Sequence, residues 1–234
     1  MMSGFFKFED TSRDFPYYRS NPKISKTGWI ILFLAIPISF IVYGIVAIDS
    51  ELIGSILFAL ILLVPLMYFS KWDLSLIFHK PTKQEIKLAV MLFVGYMIYA
   101  VVVGEFLEFI GYASQAGSDY LGVTWEMLFS LIFSMLAEEL VKFIPLMFFI
   151  RFIYKNTGNR KLAVITSAII VMIFFGLLHY DEGITPLLSV ILIQGFGSIF
   201  ELYGYIKTKN LFVPYLCHLL TDGFIFFIIL LFGV

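Results

Sequence analysis

Cysteine is nearly missing from this chain: Cys217 is the one example in 234 residues. A lone thiol excludes an intramolecular disulfide and any multi-cysteine metal centre. No neighbour in sequence marks it as reactive, so it reads as a small packing residue. Charge is scarce too. Asp, Glu, Lys and Arg make up 14% of the chain, where soluble domains carry about a quarter. The net charge of -1 suggests no nucleic-acid partner. Strand-type alternation is missing, which argues against a membrane barrel. The first 28 residues contain no apolar run of the signal-peptide kind. No internal repeat, low-complexity tract or long soluble insertion is visible. What is present is apolar: 60% hydrophobic residues, 27 Phe and a mean hydropathy of +0.94. A soluble fold of this size could not hide that much apolar surface.

The composition predicts an all-α polytopic membrane protein. Apolar stretches lie near 29–48, 52–70, 86–110, 126–150, 161–180, 185–206 and 211–233. Each is long enough to cross a hydrocarbon core of roughly 30 Å at about 1.5 Å per residue. The simplest division is a short polar cytosolic arm, 1–28, and a transmembrane helical domain, 29–234. Fifteen of the 16 Lys and Arg fall in the arm or in the second, fourth and sixth junctions. The positive-inside rule then places the N-terminus in the cytosol and the C-terminus outside, which requires about seven spans. Trp29, Trp72 and Trp125 sit at span ends, as an interfacial aromatic belt would.

The sixteenth cation, Lys142, lies inside the fourth span with Glu138 and Glu139. Charges at that depth cost a few kcal/mol or more and call for partners. Helical spacing lets Lys142 pair with Glu138 (i,i+4) or Glu139 (i,i+3). One such pair leaves the other carboxylate without a cation in a dry setting, where it suits a general base. The fifth span ends in Phe175-Gly176-Leu177-Leu178-His179, followed by Asp181 and Glu182, and the seventh holds His218 and Asp222 at i,i+4. An Asp on the same face can orient an imidazole and select its tautomer. His79 falls in a basic junction and reads as a surface residue. Glu105 and Glu108 read as solvated at the outer end of the third span, and Glu201 as at most a supporting group. Ser134 and Ser189 read as bonding to backbone carbonyls.

Two Glu, two His and one Asp on three apolar spans suit amide hydrolysis in a water-filled cavity. There is no Gly-x-Ser-x-Gly elbow, His-Glu-x-x-His helix or phosphate loop. Glu138-Glu139, then Phe175-x-x-x-His179, then His218-x-x-x-Asp222 resembles the CAAX-protease and bacteriocin-processing family of intramembrane proteases. The resemblance extends over a motif-bearing core, 126–233. It departs at the first motif, where the family's Glu-Glu-x-x-x-Arg pattern meets Phe143 and the cation is Lys142, one residue earlier. Glu-Glu-x-x-Lys also resembles the bacterial membrane proteases that cleave anti-sigma factors.

The resemblance implies an intramembrane endopeptidase of a prokaryotic plasma membrane, acting on a membrane-embedded or lipid-anchored peptide or protein. By it, Glu138 would activate water with help from His179, and His218 and Asp222 would form the oxyanion site. Glu139 would support them, and Lys142 would do the arginine's pairing. No cofactor is expected. If zinc or another divalent ion were held, Glu138, His179 and His218 would be its ligands. The alternatives are a non-catalytic immunity or scaffold protein and a proton-coupled carrier. One difficulty stands. If all basic junctions lie in one plane, His179 is about 27 Å above it and His218 only about 13 Å. A single site then requires tilt, a fifth helix that starts lower, or a re-entrant segment at 180–185.

Overall fold

The computed structural model describes residues 13–19, 22–112, 122–181 and 186–232; these are mainly helical, with no strand among them. The helices are α1 (Lys26–Val46), α2 (Glu51–Phe69), α3 (Lys83–Phe109), α4 (Trp125–Thr157), α5 (Arg160–Leu178), α6 (Leu187–Thr208) and α7 (Phe212–Phe232). A helix satisfies its own backbone, which is what hydrocarbon demands of a single segment. Polar side chains mark the starts: Ser25, Ser50, Thr82, Thr124 and Asn159 each accept a first-turn amide hydrogen bond. Thr82 and Glu85 close a reciprocal capping box on α3.

Six helices are long and apolar enough to cross a membrane; α4 is the exception. Every 18-residue window of α4 carries at least three charged residues. It is also the most enclosed helix, packed by α1, α2, α5 and α7, so its charges face protein. Its 33 residues span about 50 Å, well beyond a hydrocarbon core. The expected fourth span stopped at 150, because 151–157 is polar and lacks the apolar signal. α3 lies apart from α1 and α2, against α6 and α7.

α6 is interrupted by a π-helical segment, Ile191–Phe196. Here α5 and α6 approach closely. A Cβ built on Gly176 would lie 2.9 Å from the Gly195 Cα, and one on Gly195 would lie 2.8 Å from the Met172 carbonyl. The two glycines allow backbone contact three residues before His179.

Three sequence expectations change. The arm is not simply polar: Phe15, Tyr17 and Tyr18 are buried. Tyr17 packs edge-on against Trp29 and Phe143, and its carbonyl accepts a 3.0 Å bond from Arg151 Nη1. Trp29 is therefore an interior residue, not part of a lipid-facing belt, whereas Trp72 and Trp125 are exposed. His79 is half-buried and held by Asn210: its amide donates to Asn210 Oδ1 (3.3 Å), and its carbonyl accepts from Asn210 Nδ2 (3.1 Å). The Leu211 amide adds a bond to the Ile77 carbonyl. The short 74–79 segment is thus stitched to the α6–α7 turn, which lies inside the protein with Lys209, Asn210 and Leu211 all buried.

Candidate active site

That buried turn resolves the depth difficulty. α4 and α5 form a hairpin through Gly158, whose left-handed backbone (φ 66°) ends α4, and Asn159, which caps α5. Glu138 lies nineteen residues before the end of α4, and His179 nineteen residues after the start of α5. Antiparallel packing therefore puts them level. His218 is six residues into α7, a rise of about 9 Å against about 28 Å for His179. They meet because the α6–α7 turn sits deeper in the protein than the α4–α5 turn. The basic junctions do not share a plane. Of the re-entrant segment, residues 182–185 and with them Glu182 lie outside the described residues.

Glu138 Oε2 lies 4.0 Å from His179 Nε2 and 3.8 Å from His218 Nε2. Asp222 Oδ2 lies 3.7 Å from the same His218 nitrogen. The expected cluster of Glu138, His179, His218 and Asp222 is thus one site built from α4, the C-terminal cap of α5, and α7. Separations near 4 Å are too long for direct hydrogen bonds and suit an intervening water or substrate atom.

Both imidazoles are anchored from behind. His179 Nδ1 lies 2.9 Å from the Phe175 carbonyl, which can only accept, so that nitrogen carries a proton. His218 Nδ1 lies 2.8 Å from Glu139 Oε1 and donates to it. In each ring Nε2 is left facing Glu138. Phe175 braces the arrangement: its ring centroid is 4.7 Å from the His179 ring, 6.3 Å from the His218 ring and 4.4 Å from Lys142 Nζ. This explains the Phe of the Phe-x-x-x-His motif.

Lys142 pairs with Glu139 at 2.5 Å and not with Glu138. Its second partner is Glu201 on α6. All three are buried, and His218 Nδ1 is 3.9 Å from Glu201 Oε1. Glu201 was the residue sequence reasoning undervalued. The available signal was a lone acid in an apolar span with one orphan cation to be balanced elsewhere.

Two metal sets can be compared. Ligand atoms of Glu139, Glu201 and His218 lie within 4.8 Å of one another. The Lys142 ammonium already contacts both carboxylates and His218 Nδ1 carries a proton, so this set does not fit a metal ion. The set anticipated from sequence fits better: two Nε2 atoms with their Nδ1 protons tied back face one carboxylate oxygen.

Other expectations hold. Cys217 is buried, Glu105 and Glu108 are exposed, and the Ser134 hydroxyl donates to the Ser130 carbonyl.

Residues 120–224 match the family model described as Type II CAAX prenyl endopeptidase Rce1-like. The stretch contains α4 to α6, most of α7 and all of Glu138, Glu139, Lys142, His179, Glu201, His218 and Asp222. Over this stretch the chain is similar to the CAAX-protease family, as its motifs suggested, and that likeness together with six long apolar helices marks an integral membrane protein. Comparisons with the curated proteins and with the solved structures found no match.

Proposed function

We propose that the protein is an intramembrane endopeptidase that hydrolyses a peptide bond in a membrane-embedded or lipid-anchored peptide or protein. The observation that carries this reading is the convergence of Glu138 Oε2 with two imidazole Nε2 atoms from two other elements. Three of the four side chains are partly open, with 21% exposure for Glu138, 34% for His179 and 30% for Asp222, while His218 is buried. A substrate therefore has a way in.

Glu138 accepts a proton from a water while the water oxygen bonds to the scissile carbonyl carbon. His179 Nε2 accepts the water's other hydrogen bond and aims its lone pair. The carbonyl oxygen becomes an oxyanion, to which His218 Nε2 donates when it carries a proton, beside Asp222. Collapse reforms the C=O bond and breaks the C–N bond, and the leaving nitrogen takes the proton held by Glu138. Should a divalent ion be held, Glu138, His179 and His218 would hold it, and it would polarise the water and the carbonyl. The sequence supports a cytosolic N-terminus in a prokaryotic plasma membrane, with the Lys- and Arg-bearing end of the bundle inside.

The test is cleavage of prenylated and unprenylated membrane-anchored peptides in reconstituted vesicles. Glu138→Ala and His179→Ala are each expected to abolish cleavage while keeping the wild-type Tm in detergent. Full activity in either variant sinks the reading. A large fall in Tm without turnover in the wild type supports a scaffold role instead.

A further inference from the structure

α6 places one buried carboxylate against this site, Glu201. It lies six residues past Gly195, where backbone contact with Gly176 fixes α6 against α5. The hydrolysis written above assigns it no part.

Its contacts are shared in a particular way. Lys142 Nζ lies 2.5 Å from Glu139 Oε1, and His218 Nδ1 lies 2.8 Å from the same oxygen. Two donors thus compete for one acceptor. The ammonium has two further neighbours, Glu201 Oε2 and the face of the Phe175 ring, whose centroid is 4.4 Å away. Its three hydrogens are divided between two carboxylates and an aromatic face. Two carboxylates against one ammonium leave a unit of negative charge in a closed set. His218 Nδ1 faces both acids, 3.9 Å from Glu201 Oε1. The gap beside the three groups is about 10 Å³, at the lower limit for one water. Solvent is therefore a poor substitute for a missing carboxylate.

We infer that Glu201 is a positioning residue: by sharing the charge of Lys142 it keeps Glu139 a strong acceptor for the Nδ1 proton of His218, and so holds Nε2 of that ring toward Glu138. With its charge removed, Lys142 and Glu139 close into a neutral pair. Glu139 then accepts more weakly, and the ring loses its fixed direction and tautomer. The consequence for catalysis rests on the endopeptidase reading, but the state of the ring can be read without a substrate.

His218 is one of three histidines. Solid-state ¹⁵N NMR of histidine-labelled protein in lipid can therefore follow it, through the signals that vanish in His218→Asn. The wild type is expected to carry a proton on Nδ1. Glu201→Gln is expected to add a population with a bare Nδ1, and to lower kcat ~tenfold with KM within about twofold of wild type. Glu201→Asp keeps the charge and should return the ring to the wild-type signals. Lys142→Met/Glu201→Gln removes the competing donor together with the charge, so Glu139 is left to His218 and Nδ1 should again be protonated. A merely structural Glu201 predicts no such recovery, and this variant also serves if Glu201→Gln does not fold. The inference is overturned if Nδ1 is bare in the wild type, if Glu201→Gln keeps the wild-type signals, if the signals change while kcat does not, or if the double variant leaves Nδ1 bare. A wild type that cleaves no peptide defeats the endopeptidase reading instead, and the nitrogen signals still decide the role of Glu201.

Discussion

The two sides of α4 carry adjacent carboxylates in opposite surroundings. On the closed side Glu139 is 3% exposed, paired with Lys142 and hydrogen-bonded by His218, with Glu201 completing the set. On the open side Glu138 is 21% exposed and, among the described residues, pairs with no Lys or Arg; two imidazoles face it, one of them shared with the Asp222 carboxylate. Successive residues on a helix point about 100° apart, so neighbours in sequence can face different compartments. The closed side is a scaffold for the open one, because Glu139 orients the ring whose far nitrogen faces Glu138.

The sharpest way to break this comparison is to exchange the two acids. Glu138→Gln is expected to lower cleavage by ~10³-fold or more with Tm unchanged, whereas Glu139→Gln should lower Tm and reduce cleavage less. Equal losses of activity with equal Tm would remove the distinction. Next in size is Lys142→Met, which strands Glu139 and Glu201 as buried charges and should cost about 3–5 kcal/mol of stability. Adding Glu139→Gln and Glu201→Gln to it should recover part of that loss; chemical denaturation in mild detergent would measure both. His179→Asn leaves the closed side intact and should cost ~10²-fold in kcat with little change in Tm. Smallest of the substitutions is Asp222→Asn, expected to stay within about tenfold of wild type, because the Asn amide can itself donate to an oxyanion, which a carboxylate cannot. Incubation with a membrane-permeant zinc chelator is expected to leave cleavage unchanged. Loss restored by zinc alone would instead put the ion on Glu138, His179 and His218.

Much of the framework was legible in the chain. Helix positions follow from run length, since lipid forces each span to satisfy its own backbone. The boundaries moved little except in α4, whose polar end at 151–157 is held by the arm and the hairpin, features without an apolar pattern. Glu138, His179, His218 and Asp222 could be named because ionisable groups in apolar helices are few. The choice of Lys142's partners could not be read. Both i,i+3 and i,i+4 were open, and Glu201 is 59 residues away. Nor could the buried roles of Tyr17, Trp29 and His79 be foreseen, because a short aromatic or polar stretch reads the same whether it docks or is solvated.

The sequence by itself determined which ionisable groups would be carried into the bundle and on which helices, because a charged residue in an apolar run has nowhere else to go. Only the tertiary structure decided how they pair. Pairing depends on a few ångströms of axial offset between helices, and that offset comes from the Gly176–Gly195 contact and from burial of the α6–α7 turn around Asn210. At such distances each ångström decides whether a carboxylate is neutralised by a neighbour or left to meet a substrate.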